Sequence, residues 1–297
     1  MLEHLNACDK IPQKIVVMGS SGFIGSQVVK EFARENTCLI GLSSKSIDLT
    51  SEHAAERLAQ ELGPEVVLIV TSAKAPCKSS AMLIENLQMI KAVCEAIEKR
   101  PPAHTVYISS DAVYADSMTP LTEESPKGAD NLHSMMHATR EVMLLQVSVS
   151  APLAILRPTL VYGAGDPHNG YGPNSFRRRA AEKKDIVLFG EGEERRDHIY
   201  VDDVAKLVVR IVKRQSRGTL NAATGVVTSF RCIAEQIAGM SSSKILIKGS
   251  PRKGAMPHNG YRAFDVAACH NAFPDFQFTE LTEGLERASA SESKVSG

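Results

Sequence analysis

Residues 14–34 constrain the fold more than any other stretch of the chain. Lys14-Ile15-Val16-Val17-Met18 is an apolar run of strand length, and Gly19-Ser20-Ser21-Gly22-Phe23-Ile24-Gly25 follows it directly. A helical pattern then occupies 23–34. A strand that turns on glycines straight into a helix is the opening of a βαβ unit. Glycines permit the tight turn, let a pyrophosphate approach the backbone, and let the helix pack closely on the sheet. The helix N-terminus then presents its free N–H groups to the phosphates. In this context the turn predicts a dinucleotide site at Gly19, Ser21, Gly22, Phe23, Ile24 and Gly25, rather than an ordinary strand–helix connection.

The rest of the first half keeps the same rhythm. Strand-like runs at 37–42, 65–70, 104–109 and 153–156 alternate with helical patterns at 51–62, 82–100 and 131–147. The run Glu65-Val66-Val67-Leu68-Ile69-Val70 is continuous, as expected of a strand buried on both faces of a parallel sheet. In 82–100, Leu83, Leu87, Ile90, Cys94 and Ile97 recur at helical spacing. The alternation predicts an α/β fold with a doubly wound parallel sheet. Near Pro158 the rhythm changes, and 163–174 is a turn-rich insertion of the kind that carries function more often than not. The expected organisation is a dinucleotide-binding domain over 1–158, with some later segments returning to it. A mainly substrate-binding region follows over 159–288, then a flexible tail over 289–297.

Composition narrows the function. The chain has 297 residues, with 34 Lys+Arg against 34 Asp+Glu and hence no net charge. That argues against a dedicated nucleic-acid binder, which carries a basic surplus to meet phosphates. No apolar run reaches membrane-spanning length, and the first residues lack an apolar signal core. The six cysteines are scattered, without a C-x-x-C pair. They read as free thiols in a reducing compartment, with the cytoplasm as the expected location and no zinc cluster or disulfide frame.

The G-x-x-G-x-x-G spacing resembles that of extended short-chain dehydrogenase/reductases, and the resemblance continues along the chain. Arg157-Pro158 followed by Val161-Tyr162-Gly163 is similar to that family's R-P-x-x-x-Y-G segment. Arg196-Asp197-His198-Ile199-Tyr200-Val201-Asp202-Asp203-Val204-Ala205 is similar to its R-D-x-I-x-V-D-D-V-A segment. The resemblance spans about 14–287. It implies a Rossmann domain, a smaller C-terminal α/β substrate domain, a bound NAD or NADP, a nucleotide-sugar substrate, and a homodimer paired through the helices at 82–100 and 131–147.

An acidic residue expected at the end of strand two, to hold a ribose 2′-OH, is missing. Ser43, Ser44 and Lys45 stand there and suit a 2′-phosphate, so NADP is expected ahead of NAD. This loop resembles that of GDP-fucose synthases, in which Asp48 would match an acidic residue near the adenine, with Leu49 beside it. Ser72 and Ala73 follow strand three and should pass close to the cofactor by the switch-point rule.

The catalytic signature of the family breaks in this chain. The resemblance implies a Ser or Thr after strand four, matched by Ser110, and a Tyr-x-x-x-Lys on the next helix. Asp111-Ala112 stands where dehydratases of the family carry Asp-Glu, which disfavours a dehydration. Aligning Glu141 with the glutamate that follows the family's lysine by four places His133 at the tyrosine position and His137 at the lysine position. A phenol with a pKa near ~10 needs a neighbouring cation to act at neutrality, whereas imidazole near ~6.5 does not, so losing both together is chemically coherent. Imidazole reaches roughly 2 Å less than a tyrosine hydroxyl, so a water or a shifted substrate is required. Three readings remain open: chemistry at His133 with His137 orienting it or touching the ribose; acid/base work moved to His168 in the insertion; or a degenerate site that binds cofactor as a binding or assembly partner. Zinc at the i, i+4 histidines is disfavoured because Ser134 occupies the glutamate position of H-E-x-x-H.

On the substrate side, Asn174 and the basic run Phe176-Arg177-Arg178-Arg179 open a helix expected to face the nucleotide, with one arginine turned inward. Arg196, with Arg252 and Arg262 as further candidates, would meet the diphosphate, since the guanidinium fork matches phosphate oxygens in pairs. Val187-Leu188-Phe189-Gly190 resembles the short strand against the base. Asp202 and Asp203 are expected to cap the following helix.

Overall fold

The computed structural model describes residues 2–293. Its elements run β1 (Glu3–His4), β2 (Lys14–Met18), α1 (Phe23–Phe32), β3 (Cys38–Leu42), α2 (Ala54–Glu61), β4 (Val66–Val70), α3 (Ser80–Lys99), β5 (His104–Ile108), α4 (Leu132–Val147), β6 (Leu153–Pro158) and β7 (Leu160–Tyr162). They continue α5 (Pro173–Ala181), β8 (Ile186–Phe189), β9 (Arg195–Tyr200), α6 (Val201–Lys213), β10 (Ser216–Ala222), β11 (Val227–Ser229), α7 (Phe230–Met240), β12 (Ile247–Ser250), β13 (Tyr261–Arg262), α8 (Ala267–Ala272) and α9 (Leu281–Ser293).

The principal sheet has the order β1-β10-β6-β5-β4-β2-β3 and is parallel except for β1 at its edge. Both faces are covered. Along β2, Ile15 and Val17 point to one core with Val28, Phe32, Val204 and Val208 from α1 and α6. Val16 and Met18 point to the other, with Leu58, Ile90, Val93 and Leu144 from α2, α3 and α4. This period-two division explains why the strand is apolar throughout rather than alternating. α6 and β10 come from late in the chain and pack on or join this sheet. A third core, with Tyr162, Phe176, Leu188, Phe230 and Ile233, holds α5, α7 and β8 together beside it.

The strand order reverses between β2 and β4, because β3 lies on one side of β2 and β4 to β6 lie on the other. This is the topological switch point, where the carboxyl ends of the strands leave a crevice.

Several element boundaries differ from the sequence expectation. α1 ends at Phe32, two residues short of the expectation. α2 begins at Ala54 because Ser51 donates its hydroxyl to Asp48 in a turn instead of capping a helix. α3 begins earlier than expected, at Ser80, since Ser79 accepts from the Met82 N–H as N-cap. Of the expected tail, 289–293 continue α9, and 294–297 lie outside the described residues.

Candidate active site

A cleft of about 550 Å³ opens at the switch point. One end is the glycine turn. Gly19 has φ +97°, and a Cβ there would stand 2.5 Å from Thr71 Oγ1 and 2.7 Å from Ser72 N. A Cβ on Gly25 would stand 2.1 Å from Gly19 O, so the helix can lie this close to the strand end only with glycine at both positions. Gly22 offers no side-chain cap, and the first turn of α1 holds no acidic residue. The unpaired N–H groups of that turn therefore favour an anion. Ser72 Oγ is buried without a hydrogen-bond partner. A dinucleotide fits this end: glycines clear the backbone, a helix N-terminus meets phosphate, and a buried hydroxyl awaits a partner. Gly22, Phe23, Ile24, Gly25 and Ala73 line the cleft.

Two residues that sequence reasoning missed hold the 72–74 segment in place. Asn86 accepts from the Lys74 N–H (2.9 Å) and donates to the Lys74 carbonyl (3.0 Å). Arg140, fully buried, donates to the Ser72 carbonyl (2.6 Å) and to Asn86 Oδ1 (3.1 Å).

The loop after β3 lies outside the cleft lining. Leu49 is buried in the core under α2. Asp48 accepts from both the backbone N–H (2.9 Å) and the hydroxyl (2.7 Å) of Thr50, and these bonds hold its carboxyl below the usual range. Ser43 exchanges hydrogen bonds with Ser46, and the Ser43 hydroxyl accepts from the Lys45 N–H (3.3 Å).

Ser110, His133, His137 and His168, drawn from three places in the sequence with the middle two on successive turns of α4, converge on the other end of the cleft. α4 begins there because Asn131 accepts from the N–H groups of His133 and Ser134 while Ser134 reaches back to Asn131, a reciprocal cap. This cap fixes the first turn, and with it the direction of His133. The Cys77 N–H donates to His133 Nδ1 at 3.4 Å, and Tyr107 Oη lies 3.4 Å from His137 Nδ1. Both rings are therefore held by their δ nitrogens. Burial lowers the pKa of His133, Asp111 opposes that, and His168 adds to it. His137 is held well below 6.5 by burial, then by His133 and Arg140. Both imidazoles are neutral at pH 7.

One turn further along α4, Glu141 accepts two hydrogen bonds from Arg157 (2.8 and 2.7 Å), one from Ser109 (2.7 Å) and one from Lys127 (3.0 Å). The Arg157 of the R-P segment is thus a structural clamp between β6 and α4.

The substrate-side expectations divide. Arg196 lines the cleft, next to Glu194 (3.3 Å) and Asp111 (3.8 Å). Arg262 does not: it is buried, donating to Asp111 Oδ2 (2.9 Å) and to the Asp111 carbonyl (2.5 Å), and locks β13 to the segment after β5. Asn174 also turns away, accepting from the Gly163 N–H (3.0 Å) and so fixing the bend after β7. Arg252 donates to the Phe189 carbonyl (3.1 Å) at the end of β8, outside the cleft lining. Arg177 is the inward arginine of α5, bonded to the Gly163 carbonyl. Asp203 does not cap α6; it accepts from the Thr279 N–H and hydroxyl and ties α6 to the segment before α9. Asp116 and His258, which no motif marked, also line the cleft.

Comparison with known proteins gives this arrangement its class. Residues 15–223 match the model of the NAD dependent epimerase/dehydratase family, and the chain belongs to that family. It is 25% identical over 260 residues to the UDP-glucose 4-epimerase of Mycolicibacterium smegmatis, covering 76% of this chain and 82% of that protein. Its fold is similar to UDP-glucose 4-epimerase from Thermotoga maritima with UDP-glucose (TM-score 0.85, 19% identity, 96% and 100% of the two chains). It is equally similar to a GDP-L-fucose synthetase from Naegleria fowleri bound to NADP (TM-score 0.84, 17% identity, 98% and 97%).

Proposed function

We propose that this protein is an NADP-dependent oxidoreductase of nucleotide-linked sugars, reducing a keto-sugar or epimerising one through a keto intermediate, with His133 and His137 standing in for the usual phenol and amine. The observation that carries this reading is the convergence of Ser110, His133 and His137 on the cleft that also receives the glycine turn. The turn and the α1 N-terminus would hold the pyrophosphate, Ser72 and Ala73 the neighbouring nucleotide. Ser43, Ser44 and Lys45, with no carboxylate at the end of β3, favour a 2′-phosphate over a free 2′-OH.

When bound, NADP supplies or accepts a hydride at the sugar carbon. The protein's own groups manage the oxygen on that carbon. Ser110 Oγ donates a hydrogen bond to it. His133, with Nδ1 engaged by the Cys77 N–H, offers Nε2–H to the same oxygen directly or through one water. His137, braced by Tyr107, keeps the His133 ring in place and faces the ribose. A neutral imidazole can polarise a carbonyl without being ionised. His168, in the loop after β7, lines the same cleft and would give the proton that completes a reduction, or take the one that leaves the hydroxyl in an oxidation, through water.

The protein is proposed to act as a homodimer. Ile84 on α3 and Met135, Val142 and Leu145 on α4 are exposed apolar side chains that a second copy would cover. Light scattering in solution tests this, with a monomer contradicting it.

The activity is tested by titrating the protein with NADPH and NADH, then assaying nicotinamide oxidation and epimer formation with UDP-, GDP-, CDP- and dTDP-linked sugars and their keto derivatives. Tighter NADPH binding and turnover with one nucleotide series are expected. Tight cofactor binding without turnover across the panel would favour the degenerate site, a binding or assembly partner built on the same fold.

A further inference from the structure

The cleft carries another imidazole, and its setting is the reverse of that of His133. His258 comes from the loop between β12 and β13, and Asp116 from the segment after β5. His258 Nδ1 lies 2.5 Å from Asp116 Oδ1. At that separation two lone pairs would repel, so a proton lies between the atoms. Arg262 Nη1 is 3.0 Å from the same Nδ1 and 3.4 Å from the same Oδ1. A guanidinium can only donate; with the proton of the 2.5 Å contact on Nδ1, the Arg262 hydrogen goes to the anionic carboxylate oxygen, and its 3.0 Å approach to Nδ1 is a close contact rather than a hydrogen bond. Burial, then Arg196 and Arg262, hold the ring below its ordinary pKa against the pull of Asp116, so the imidazole is neutral. Nδ1–H in a neutral ring leaves Nε2 with a lone pair, and no hydrogen bond among the described residues uses that atom.

The backbone is arranged for this placement. His258 and Asn259 both adopt the left-handed region, at φ +51°, without being glycine. Such conformations cost on the order of 1 kcal/mol or more each and persist where the surroundings over-determine them. Here the surroundings are Asp116 and Arg262.

The cleft thus holds a donor imidazole, His133, and an acceptor imidazole, His258. Among the described residues, the remaining charged groups on its wall are Asp111, Asp116, Asp130 and Asp166, which accept hydrogen bonds, and one arginine, Arg196. A wall rich in acceptors suits the uncharged, hydroxyl-bearing sugar moiety of such a ligand better than a sugar carrying a carboxylate.

We propose that His258, oriented by Asp116, accepts a hydrogen bond from one ring hydroxyl of the substrate's sugar and sets which sugar the cleft takes. The proposal rests on the nucleotide-sugar reading above. A site built to bond a hydroxyl rejects the analogue lacking it, because the buried acceptor is then left unpaired.

The test uses calorimetry on the NADP-saturated protein with UDP-glucose, GDP-mannose and dTDP-glucose, followed by the monodeoxy analogues of whichever binds. The wild-type protein should disfavour one monodeoxy analogue by about tenfold or more. His258→Phe should bind parent and analogue within about twofold of each other, with NADP affinity and melting temperature unchanged. Asp116→Asn should weaken the discrimination in the same direction. Full discrimination retained in His258→Phe would overturn the proposal and leave the nucleotide-sugar reading intact. No binding of any nucleotide sugar by the wild-type protein would overturn both. Independently of any ligand, nitrogen-15 NMR should find His258 protonated on Nδ1 in the free protein, and an Nε2–H tautomer would overturn the proposal.

Discussion

The rings of His133 and His137 meet edge to face, with centroids 4.8 Å apart and planes at 83°. Successive turns of one helix bring i and i+4 side chains together. Burial lowers the affinity of both rings for a proton, and His133 lowers that of His137 further. A pair of this kind does not act by gaining a proton near neutrality. The profile of kcat/KM against pH should therefore have no inflection between pH 7 and 8 from these residues, and should fall only on the acid side of 6.5, where the folded-state pKa values lie. A bell centred near neutrality, lost in His133→Ala, would contradict this.

The glycine turn makes a sharp contrast available. Gly25→Ala places a methyl 2.1 Å from the Gly19 carbonyl oxygen, which is backbone and cannot yield without opening the turn. Loss of NADPH binding by at least about tenfold is expected, because the phosphate contacts depend on that backbone. Gly170→Ala meets nothing within 4 Å and should leave binding unchanged. Equal affinities in the two variants would show that the turn does not hold the cofactor.

The Arg157–Glu141 pair is buried at both ends, with exposures of 2% and 0%. Burial alone would push the Glu141 carboxyl up, and the hydrogen bonds and charge of Arg157, with the hydrogen bonds of Ser109 and Lys127, together outweigh it. Arg157→Met leaves a buried carboxylate without its bidentate partner and should cost about 3–5 kcal/mol in urea unfolding. The double variant Arg157→Met/Glu141→Leu should recover most of that loss. Lys127, exposed at 45%, contributes little, and Lys127→Ala should cost under about 1 kcal/mol.

Acid should destabilise the fold through buried histidines. Burial holds His104 down at about 4, against the pull of its hydrogen bond to the Ser216 carbonyl, and holds His198 down at about 3. Between those values and 6.5 the unfolded chain binds more protons than the folded one, so stability rises with pH and is lost on acidification. Asp197, pushed up to about 6 by burial, acts in the opposite sense between 3.8 and 6. Two histidines against one aspartate leave a net acid loss. His104→Gln should flatten the stability curve between pH 4 and 6.5, by up to roughly 1.4 kcal/mol for each pH unit of that window. An unchanged slope would contradict the assignment.

The Rossmann half was legible because its signals are local: Ile15 to Met18 are apolar on both faces, and glycines punctuate the turn at one end. Where a motif fixes a position, as at Ser110, His133 and Gly22, the structure puts that residue in the cleft wall. The site was not legible where a charged residue has two equivalent uses. Arg262 and Arg196 both look like phosphate ligands in sequence, but only tertiary placement reveals that Asp111 claims the first through β13. Asn174 looks polar and available, yet it satisfies the backbone of Gly163. His258 and Asp116 lie 142 residues apart, and nothing in either neighbourhood signals the other.

The central claim is that His133 handles the oxygen of the reacting carbon beside the nicotinamide. Single-turnover hydride transfer from NADPH, measured on the best keto-sugar substrate in wild-type protein and in His133→Ala, tests it most directly. A rate lower by about 10²–10⁴-fold, with NADPH affinity within about twofold of wild type, is the expected result. Hydride transfer in His133→Ala at the wild-type rate would remove this imidazole from the chemistry.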